Sequence, residues 1–187
     1  MKERLKNTIM FIITISLFFI LAELGFRFYS DISPIYDIEM YKYAKKLQQR
    51  SETPGLTHEH ISDSDAKLMR VNIAINSSGF RDNFIPRKKE KNDYRILVAG
   101  SSITMGWGVP YDSVFTSLLE YGFNKCCDNL NYEVINTSIG NYNTNMAAIL
   151  LEKNLPLVDP DKVILHFFLN DVESISARNT NIFMKYS

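Results

Sequence analysis

The stretch from 95 to 109 narrows the choice of fold more than any other part of this chain. It reads Arg-Ile-Leu-Val-Ala-Gly-Ser-Ser-Ile-Thr-Met-Gly-Trp-Gly-Val, an apolar run that passes directly into a turn of small and polar residues. A short apolar run that ends in such a turn is typical of a buried strand. Because α/β sheets hold their ligands just beyond the carboxyl ends of the strands, Ser102 is the first candidate for a nucleophile.

From Tyr94 onward, apolar segments of strand length alternate with helical patterns. We predict strands over 94–99, 132–136 and 162–169, and helices over 114–123 and 143–154. Strands separated by helices indicate βαβ units and a parallel sheet, so the predicted fold class is α/β, a three-layer α/β/α sandwich. Three strands are few where a mean sheet has about five or six, and we therefore expect an incomplete sheet and a chain that is a fragment.

The ends of the second predicted helix carry recognisable signals. Asn143 or Thr144 can cap its first turn, because the side-chain oxygen of either residue accepts a hydrogen bond from a free backbone N–H. The segment Leu-Pro-Leu-Val-Asp-Pro at 155–160 is expected to end the helix, since proline cannot continue one.

Three short motifs follow the predicted strands in order. They are Gly-Ser-Ser at 100–102 with Gly-Trp-Gly at 106–108, Val-Ile-Asn-Thr-Ser-Ile-Gly-Asn-Tyr-Asn-Thr at 134–144, and Phe-Leu-Asn-Asp at 168–171. Together they resemble the first three blocks of the SGNH (GDSL-type) hydrolases, which are esterases and acyl-transfer enzymes. Asn-Ser-Ser-Gly-Phe-Arg-Asp at 76–82 resembles the segment that precedes the first block in membrane-anchored members.

The resemblance implies a role for one residue in each motif. Ser102 would be the nucleophile, and its own N–H, the Gly140 N–H and the Asn170 side-chain amide would form the oxyanion hole. A gapless comparison places Asn141, not Gly140, at the family's glycine. We take Gly140 as the donor and keep Asn141 as the alternative, because Asn tolerates left-handed backbone better than most residues.

The chain departs from the family pattern around these residues. Ser101 stands where the family usually has Asp, and Leu169 precedes Asn170 where a small residue is expected. No Asp-x-x-His block follows the third motif in this sequence. A hydroxyl needs a nearby base to act as a nucleophile, so the base is not identified here.

The three histidines do not supply an obvious base. His166 lies in the predicted third strand, four residues before Asn170, which places it about 13 Å back from the sheet edge. His58 and His60 lie upstream of the predicted core, where we expect solvated surface side chains. Neither Asp112 nor Asp171 is a better candidate.

An uncharged apolar segment lies near the N-terminus, from Thr8 to Ala22, and extends to Phe28 if Glu23 and Arg27 lie at the interface. Crossing the hydrocarbon core takes about 20 residues, so this is a short but sufficient span whose long side chains can reach the headgroups.

Positive charge precedes this span, at Lys2, Arg4 and Lys6. This bias favours a cytoplasmic N-terminus and places the rest of the chain on the extracytoplasmic side. The alternative is a cleaved signal peptide, although the segment from 21 to 25 lacks a small-x-small cleavage site. We predict an anchor over 1–30, an extracytoplasmic stalk or cap over 31–92, and a hydrolase core, or its N-terminal part, over 93–187.

The predicted stalk or cap contains two candidate elements. Residues 40–50 can form a helix, and residues 68–76 alternate apolar and polar side chains in the manner of a half-buried strand.

Composition excludes several classes of protein. The 187 residues carry 21 basic and 21 acidic side chains, which gives no electrostatic argument for nucleic acid. Cys126 and Cys127 are adjacent, without zinc spacing, and we expect no metal. The loop from 100 to 108 lacks Gly-x-Gly-x-x-Gly, so no nucleotide or other cofactor is expected.

These observations predict a membrane-anchored, SGNH-like serine esterase. By resemblance to similar anchored proteins, the expected substrates are O-acyl esters, such as acetyl groups on an envelope polysaccharide. The alternative is an anchored envelope-assembly or binding protein that keeps the fold without the activity.

Overall fold

A computed structural model describes residues 2–83, 88–126 and 129–172 of the chain, without the side chains of Asp31 and Asn170. It divides into two compact units, Met1–Met40 and Tyr41–Ser187. The helices are α1 Lys2–Ile32, α2 Tyr36–Leu47, α3 Ser102–Met105, α4 Phe115–Cys126 and α5 Thr144–Val158. The strands are β1 Gln48–Arg50, β2 His58–His60, β3 Ser64–Leu68, β4 Val71–Ile75, β5 Asp93–Ala99, β6 Asn131–Asn136 and β7 Lys162–Leu165, and 3₁₀ turns cover Tyr111–Ser113 and Leu169–Val172.

The first unit is dominated by α1, which confirms the predicted N-terminal apolar helix. Its stretch Lys2–Ser30 is 29 residues long and apolar enough to cross a membrane. Polar groups within it are satisfied locally: the Thr8 hydroxyl donates to the Arg4 carbonyl at 3.0 Å, and Arg27 Nε donates to Glu23 Oε1 at 2.8 Å. Such internal pairing lowers the cost of placing these groups in or near lipid.

The second unit is built on a parallel sheet of strand order β6-β5-β7. In its register Ile96 lies opposite Val134, and Val98 lies opposite Ile164. The central strand β5 is buried from Arg95 to Ala99, as expected where both faces of a parallel sheet are covered. The predicted mixed α/β fold with a parallel sheet is confirmed at this level.

Alternate residues of the strands pack against helices on opposite faces of the sheet. On one face Ile96 and Val98 pack with Leu119 and Phe123 of α4. On the other face Leu97 packs with residues of α5, including Val158. The period of two along β5 therefore supplies apolar surface to both helices.

The two edges of the sheet differ. The outward N–H groups of Tyr132, Val134 and Asn136 on β6 donate, each at 2.8 Å, to side-chain oxygens that belong to Asn124, Glu120 and Asp82 respectively. These bonds take the place of a neighbouring strand and protect the edge. On the other side, β7 pairs with β5 and with no further strand among the described residues.

Two predicted boundaries are wrong. The third strand was expected over 162–169 but ends at Leu165. Three residues later, the N–H and the carbonyl of Phe168 both bond to Asp171, so these groups do not continue the pairing of the strand. Helix α5 was predicted over 143–154 but runs to Val158, so it ends within the segment 155–160 that was expected to stop it. A proline in the last turn removes one N–H, and the helix ends instead at Asp159, which has a left-handed φ of 50° and donates its N–H to the Leu155 carbonyl.

The segment upstream of β5 belongs to the same compact unit as the sheet from Tyr41 onward. The alternation predicted for 68–76 is confirmed by β4, in which Ile73 and Ile75 are buried, and β4 pairs with β3 in an antiparallel hairpin. The helix predicted over 40–50 begins earlier and ends at Leu47, because the three residues after it form β1 and pair with β2.

Candidate active site at the carboxyl edge of the sheet

The three sequence motifs follow β5, β6 and β7, whose carboxyl ends lie along the same edge of the sheet because the strands are parallel. Strand β5 lies between the other two, so the chain leaves it toward β6 and later returns on its other side at β7. This reversal of strand order is the position where open α/β sheets bind their ligands. Ser102 begins α3 only three residues after β5 ends.

The backbone around Ser102 is tightly specified. Ser101 is buried and precedes α3 in extended conformation, and Gly106 ends the helix with a left-handed φ of 86°. Gly100 must be glycine, since a Cβ there would lie 2.1 Å from Thr104 Oγ1. Ser102 is itself half-buried, and neither its hydroxyl nor its N–H bonds to a described residue. Both groups therefore remain open to a substrate.

A buried arginine from the lead-in segment holds the end of this loop. Arg81 is 1% exposed and donates to the carbonyls of Met105, Gly106 and Val109 at 2.7, 2.5 and 2.5 Å. Burial lowers the pKa of Arg81. The guanidinium thus takes up the Met105 and Val109 carbonyls, which the four-residue helix α3 and the following turn leave free, and shares the Gly106 carbonyl with the Val109 N–H.

The neighbouring carboxylate holds the second motif. Asp82 accepts hydrogen bonds at 2.8 Å from the Asn136 N–H, the Asn83 N–H and the Tyr111 hydroxyl. Burial raises the pKa of Asp82 to about 6, and these three donors oppose the rise. The Asn76–Asp82 segment therefore supports both the Ser102 loop and the end of β6.

Direct hydrogen bonds join the three motifs. Asn136 Nδ2, at the end of β6, donates to the Thr104 carbonyl at 2.9 Å. Thr104 Oγ1 lies 2.8 Å from His166 Nδ1, which links the first motif to the residue after β7. The Thr144 hydroxyl donates to the Asp171 carbonyl at 3.0 Å and links the second motif to the third. The motif backbones are therefore brought together at one edge of the sheet.

The predicted third donor, Asn170, lies in the 3₁₀ turn Leu169–Val172. Its backbone is thus placed within the third motif at this edge, whereas its side chain lies outside what the structure describes. The convergence of its amide on Ser102 stays a prediction.

The two alternatives for the second donor differ in what they bond. The Gly140 N–H donates to the Tyr43 hydroxyl at 3.0 Å, and the Gly140 carbonyl accepts from His58 Nε2 at 2.9 Å and Gln48 Nε2 at 3.5 Å. Asn141 is exposed, has a left-handed φ of 66°, and makes no hydrogen bond with a described residue. Of the two N–H groups, the one at Asn141 is open to a ligand.

The position of His166 differs from the sequence-based expectation. Because β7 ends at Leu165, His166 directly follows the strand end and contacts Thr104 of the first motif. The prediction that His166 lies about 13 Å back from the sheet edge is therefore wrong. Its ring also lies 6.0 Å from that of Phe115. It makes no hydrogen bond to Ser102 in the structure.

His58 and His60 are not the solvated surface residues that we expected. His60 is 3% exposed, its Nε2 lies 2.7 Å from the Tyr43 hydroxyl, and its Nδ1 lies 3.0 Å from the Gly79 carbonyl. Burial lowers the pKa of both histidines, that of His60 to about 4. The alternation of His-Glu-His at 58–60 is a pattern of period two that could have indicated inward-facing histidines.

Within residues 2–83, 88–126 and 129–172, no group of three or more His, Cys, Asp and Glu side chains is placed to hold a metal ion. Cys126 is exposed and its Sγ donates to the Phe123 carbonyl at 3.6 Å, and Cys127 lies outside the described residues.

The fold and the site define an α/β protein with a candidate ligand site where the strand order reverses. Comparison of the chain with models of protein families and with curated proteins finds no match.

Proposed function

We propose that this chain is an SGNH-like serine ester hydrolase carried on an N-terminal membrane helix, with Ser102 as the nucleophile. One observation carries the proposal: three motifs that resemble the family's blocks follow three neighbouring parallel strands, and side-chain hydrogen bonds join them at one edge. Ser102 follows the central strand, and no described residue bonds to its hydroxyl or its N–H. The sheet with one helix on each face is consistent with the three-layer sandwich of that family.

In the proposed reaction, Ser102 Oγ attacks the carbonyl carbon of an O-acyl ester and forms a tetrahedral intermediate. The Ser102 N–H, a second-motif N–H and the Asn170 amide stabilise the oxyanion. Removal of one such donor costs about 3 kcal/mol of transition-state stabilisation in well-studied hydrolases. The intermediate expels the alcohol, and water then hydrolyses the acyl-enzyme and restores Ser102.

The attack also requires a group that takes the Ser102 proton. No described residue accepts a hydrogen bond from Ser102 Oγ. Of the histidines, His166 bonds to Thr104, and His58 bonds to the Gly140 carbonyl. Turnover thus requires a base that none of the described side chains supplies in this arrangement.

The proposed substrates are O-acyl esters of an envelope polysaccharide on the extracytoplasmic side. The sidedness follows from the basic residues Lys2, Arg4 and Lys6 ahead of the apolar stretch of α1, since such charge is retained in the cytoplasm.

The test uses the whole protein, in membranes or detergent, and fluorogenic esters of short acyl chains. We expect Ser102→Ala to lower kcat/KM by at least about a hundredfold, because no other group can form the acyl-enzyme. Ser113→Ala is the matched control, since Ser113 is an exposed serine in the nearby 3₁₀ turn Tyr111–Ser113. Equal turnover by the wild type and Ser102→Ala, or none by either, contradicts the proposal.

A second candidate is a membrane-anchored binding or envelope-assembly protein that keeps this fold. The observation that favours it is the Ser102 hydroxyl, which has no described hydrogen-bond partner and hence no base. Such a protein would bind an acylated glycan with equal affinity in the wild type and Ser102→Ala, and calorimetry would show binding without ester cleavage by either.

A further inference from the structure

The backbone N–H and carbonyl of Gly140 are both bonded by residues that lie upstream of β5 in the sequence. Its N–H bonds to Tyr43 of α2, and its carbonyl bonds to His58 of β2. Tyr43 is fully buried, and its ring leaves no room for a side chain at 140, where a Cβ would lie 2.8 Å from Tyr43 Cε1. Two side chains remote in sequence therefore fix the two peptides that flank the Cα of Gly140: Tyr43 fixes the 139–140 peptide, and His58 fixes the 140–141 peptide.

The bond to His58 also determines the direction of the next N–H. The Gly140 carbonyl and the Asn141 N–H belong to one trans peptide plane, so they point in opposite directions. Because the carbonyl is turned toward His58, the Asn141 N–H is directed away from it. Asn141 is exposed and its N–H has no partner among the described residues, so this group is presented to solvent or ligand.

The bond to Tyr43 has a fixed polarity. The Gly79 carbonyl can only accept, so His60 Nδ1 carries a proton and, in the neutral ring, Nε2 accepts from the Tyr43 hydroxyl. The Tyr43 oxygen is then left to accept the Gly140 N–H. The chain of bonds from Gly79 to Gly140 thus keeps the Gly140 N–H occupied.

We infer that the backbone N–H of Asn141, not that of Gly140, is the second-motif oxyanion donor, and that His58 and Tyr43 are positioning residues that fix its direction. This inference rests on the proposed hydrolase function. It gives the segment upstream of the sheet a part in the reaction although it contributes no group that touches the substrate.

The kinetic test compares four variants with the wild-type chain. His58→Phe removes the bond to the Gly140 carbonyl and keeps a ring, whereas His58→Gln keeps an N–H donor of similar reach. Tyr43→Phe removes only the hydroxyl. Tyr121→Phe is the control, since it removes the hydroxyl of an exposed tyrosine on α4.

We expect kcat to fall at least about tenfold in His58→Phe and Tyr43→Phe with KM changed less than about twofold, because an oxyanion donor acts on the transition state. His58→Gln should restore kcat to within about threefold of the wild type. Wild-type kcat in His58→Phe, or an equal loss in His58→Phe and His58→Gln, overturns the positioning role. A loss in Tyr121→Phe equal to that in Tyr43→Phe also overturns it.

Amide NMR provides a readout that is independent of turnover. Hydrogen exchange at Gly140 should accelerate about tenfold in Tyr43→Phe and stay unchanged in Tyr121→Phe. Unchanged exchange at Gly140 in Tyr43→Phe overturns the inference even in a protein that hydrolyses esters.

A phosphonate that modifies Ser102 decides between the two donors. The larger amide shift is expected at Asn141, and a larger shift at Gly140 overturns the assignment. Failure of the hydrolase itself is seen separately, as wild-type turnover that does not depend on Ser102, and this result refutes the catalytic role of Asn141 as well.

Discussion

Gly140 lies where the Tyr43 ring leaves no space for a side chain. A Cβ at this position would lie 2.8 Å from Tyr43 Cε1 and 3.2 Å from its hydroxyl. Since Tyr43 is fully buried and cannot move aside freely, we expect Gly140→Ala to lower the free energy of unfolding by about 1–3 kcal/mol, as overpacking does in other cores. Urea unfolding of the purified chain measures the change.

Gly122 supplies the control for this substitution. It lies in α4, is exposed, and a Cβ there meets nothing within 4 Å. Gly122→Ala should therefore raise the stability by about 0.5–1 kcal/mol, because alanine restricts the unfolded chain and favours helix. Equal effects of the two substitutions would show that the Tyr43 contact does not confine position 140.

Short elements with few internal hydrogen bonds need support from elsewhere, and α3 receives it from Arg81. Arg81→Met removes three charge-assisted bonds, to the carbonyls of Met105, Gly106 and Val109, and leaves these carbonyls partly buried. We expect a loss of about 3 kcal/mol or more in the free energy of unfolding. Arg50→Met, at an exposed arginine, should stay within about 0.5 kcal/mol. A loss below about 1 kcal/mol for Arg81→Met would rule out this supporting role.

Sequence patterns predicted β5 and β6 well and β7 poorly, for a physical reason. Buried parallel strands read as apolar runs, but so does the run Phe167, Phe168 and Leu169, which is 53%, 43% and 77% exposed in the structure. Apolar character alone does not distinguish a strand from the exposed turn that follows it. Strands β1 and β2 were missed because Gln-Gln-Arg and His-Glu-His carry no apolar signal.

The same limit applies to the site. The motifs placed Ser102 and the Gly140–Asn141 pair at the carboxyl edge, because strand ends can be recognised locally. Their supports could not be predicted, since Tyr43 and His58 contact Gly140 from 97 and 82 residues away in sequence. Pairings at such separations depend on tertiary packing, which a single sequence does not reveal.

At the scale of the whole molecule, α1 is expected to hold the protein in the membrane. Alkaline extraction should leave the intact chain with the lipid fraction, and deletion of residues 2–30 should release it. Among the described residues, this stretch is the one helix long and apolar enough to span a membrane. Release of the intact chain would contradict an anchor.

Labelling of the exposed thiol of Cys126 tests on which side of the membrane the second unit lies. A membrane-impermeant maleimide should label it in intact cells if the basic N-terminal residues stay in the cytoplasm. The variant with Cys126→Ser and Cys127→Ser is the control for labelling elsewhere. Labelling that requires cell lysis would reverse the predicted sidedness.

The two edges of the sheet differ in how readily they could pair with a further strand. A strand that approached β6 would find the N–H groups of Tyr132, Val134 and Asn136 already bound to side chains, so it would gain few bonds there. Along the free side of β7 the described residues place no such obstacle. A strand added by another part of the protein or by another molecule would therefore pair with β7 more readily than with β6, and the third motif would then lie along the middle of the sheet edge instead of at its end.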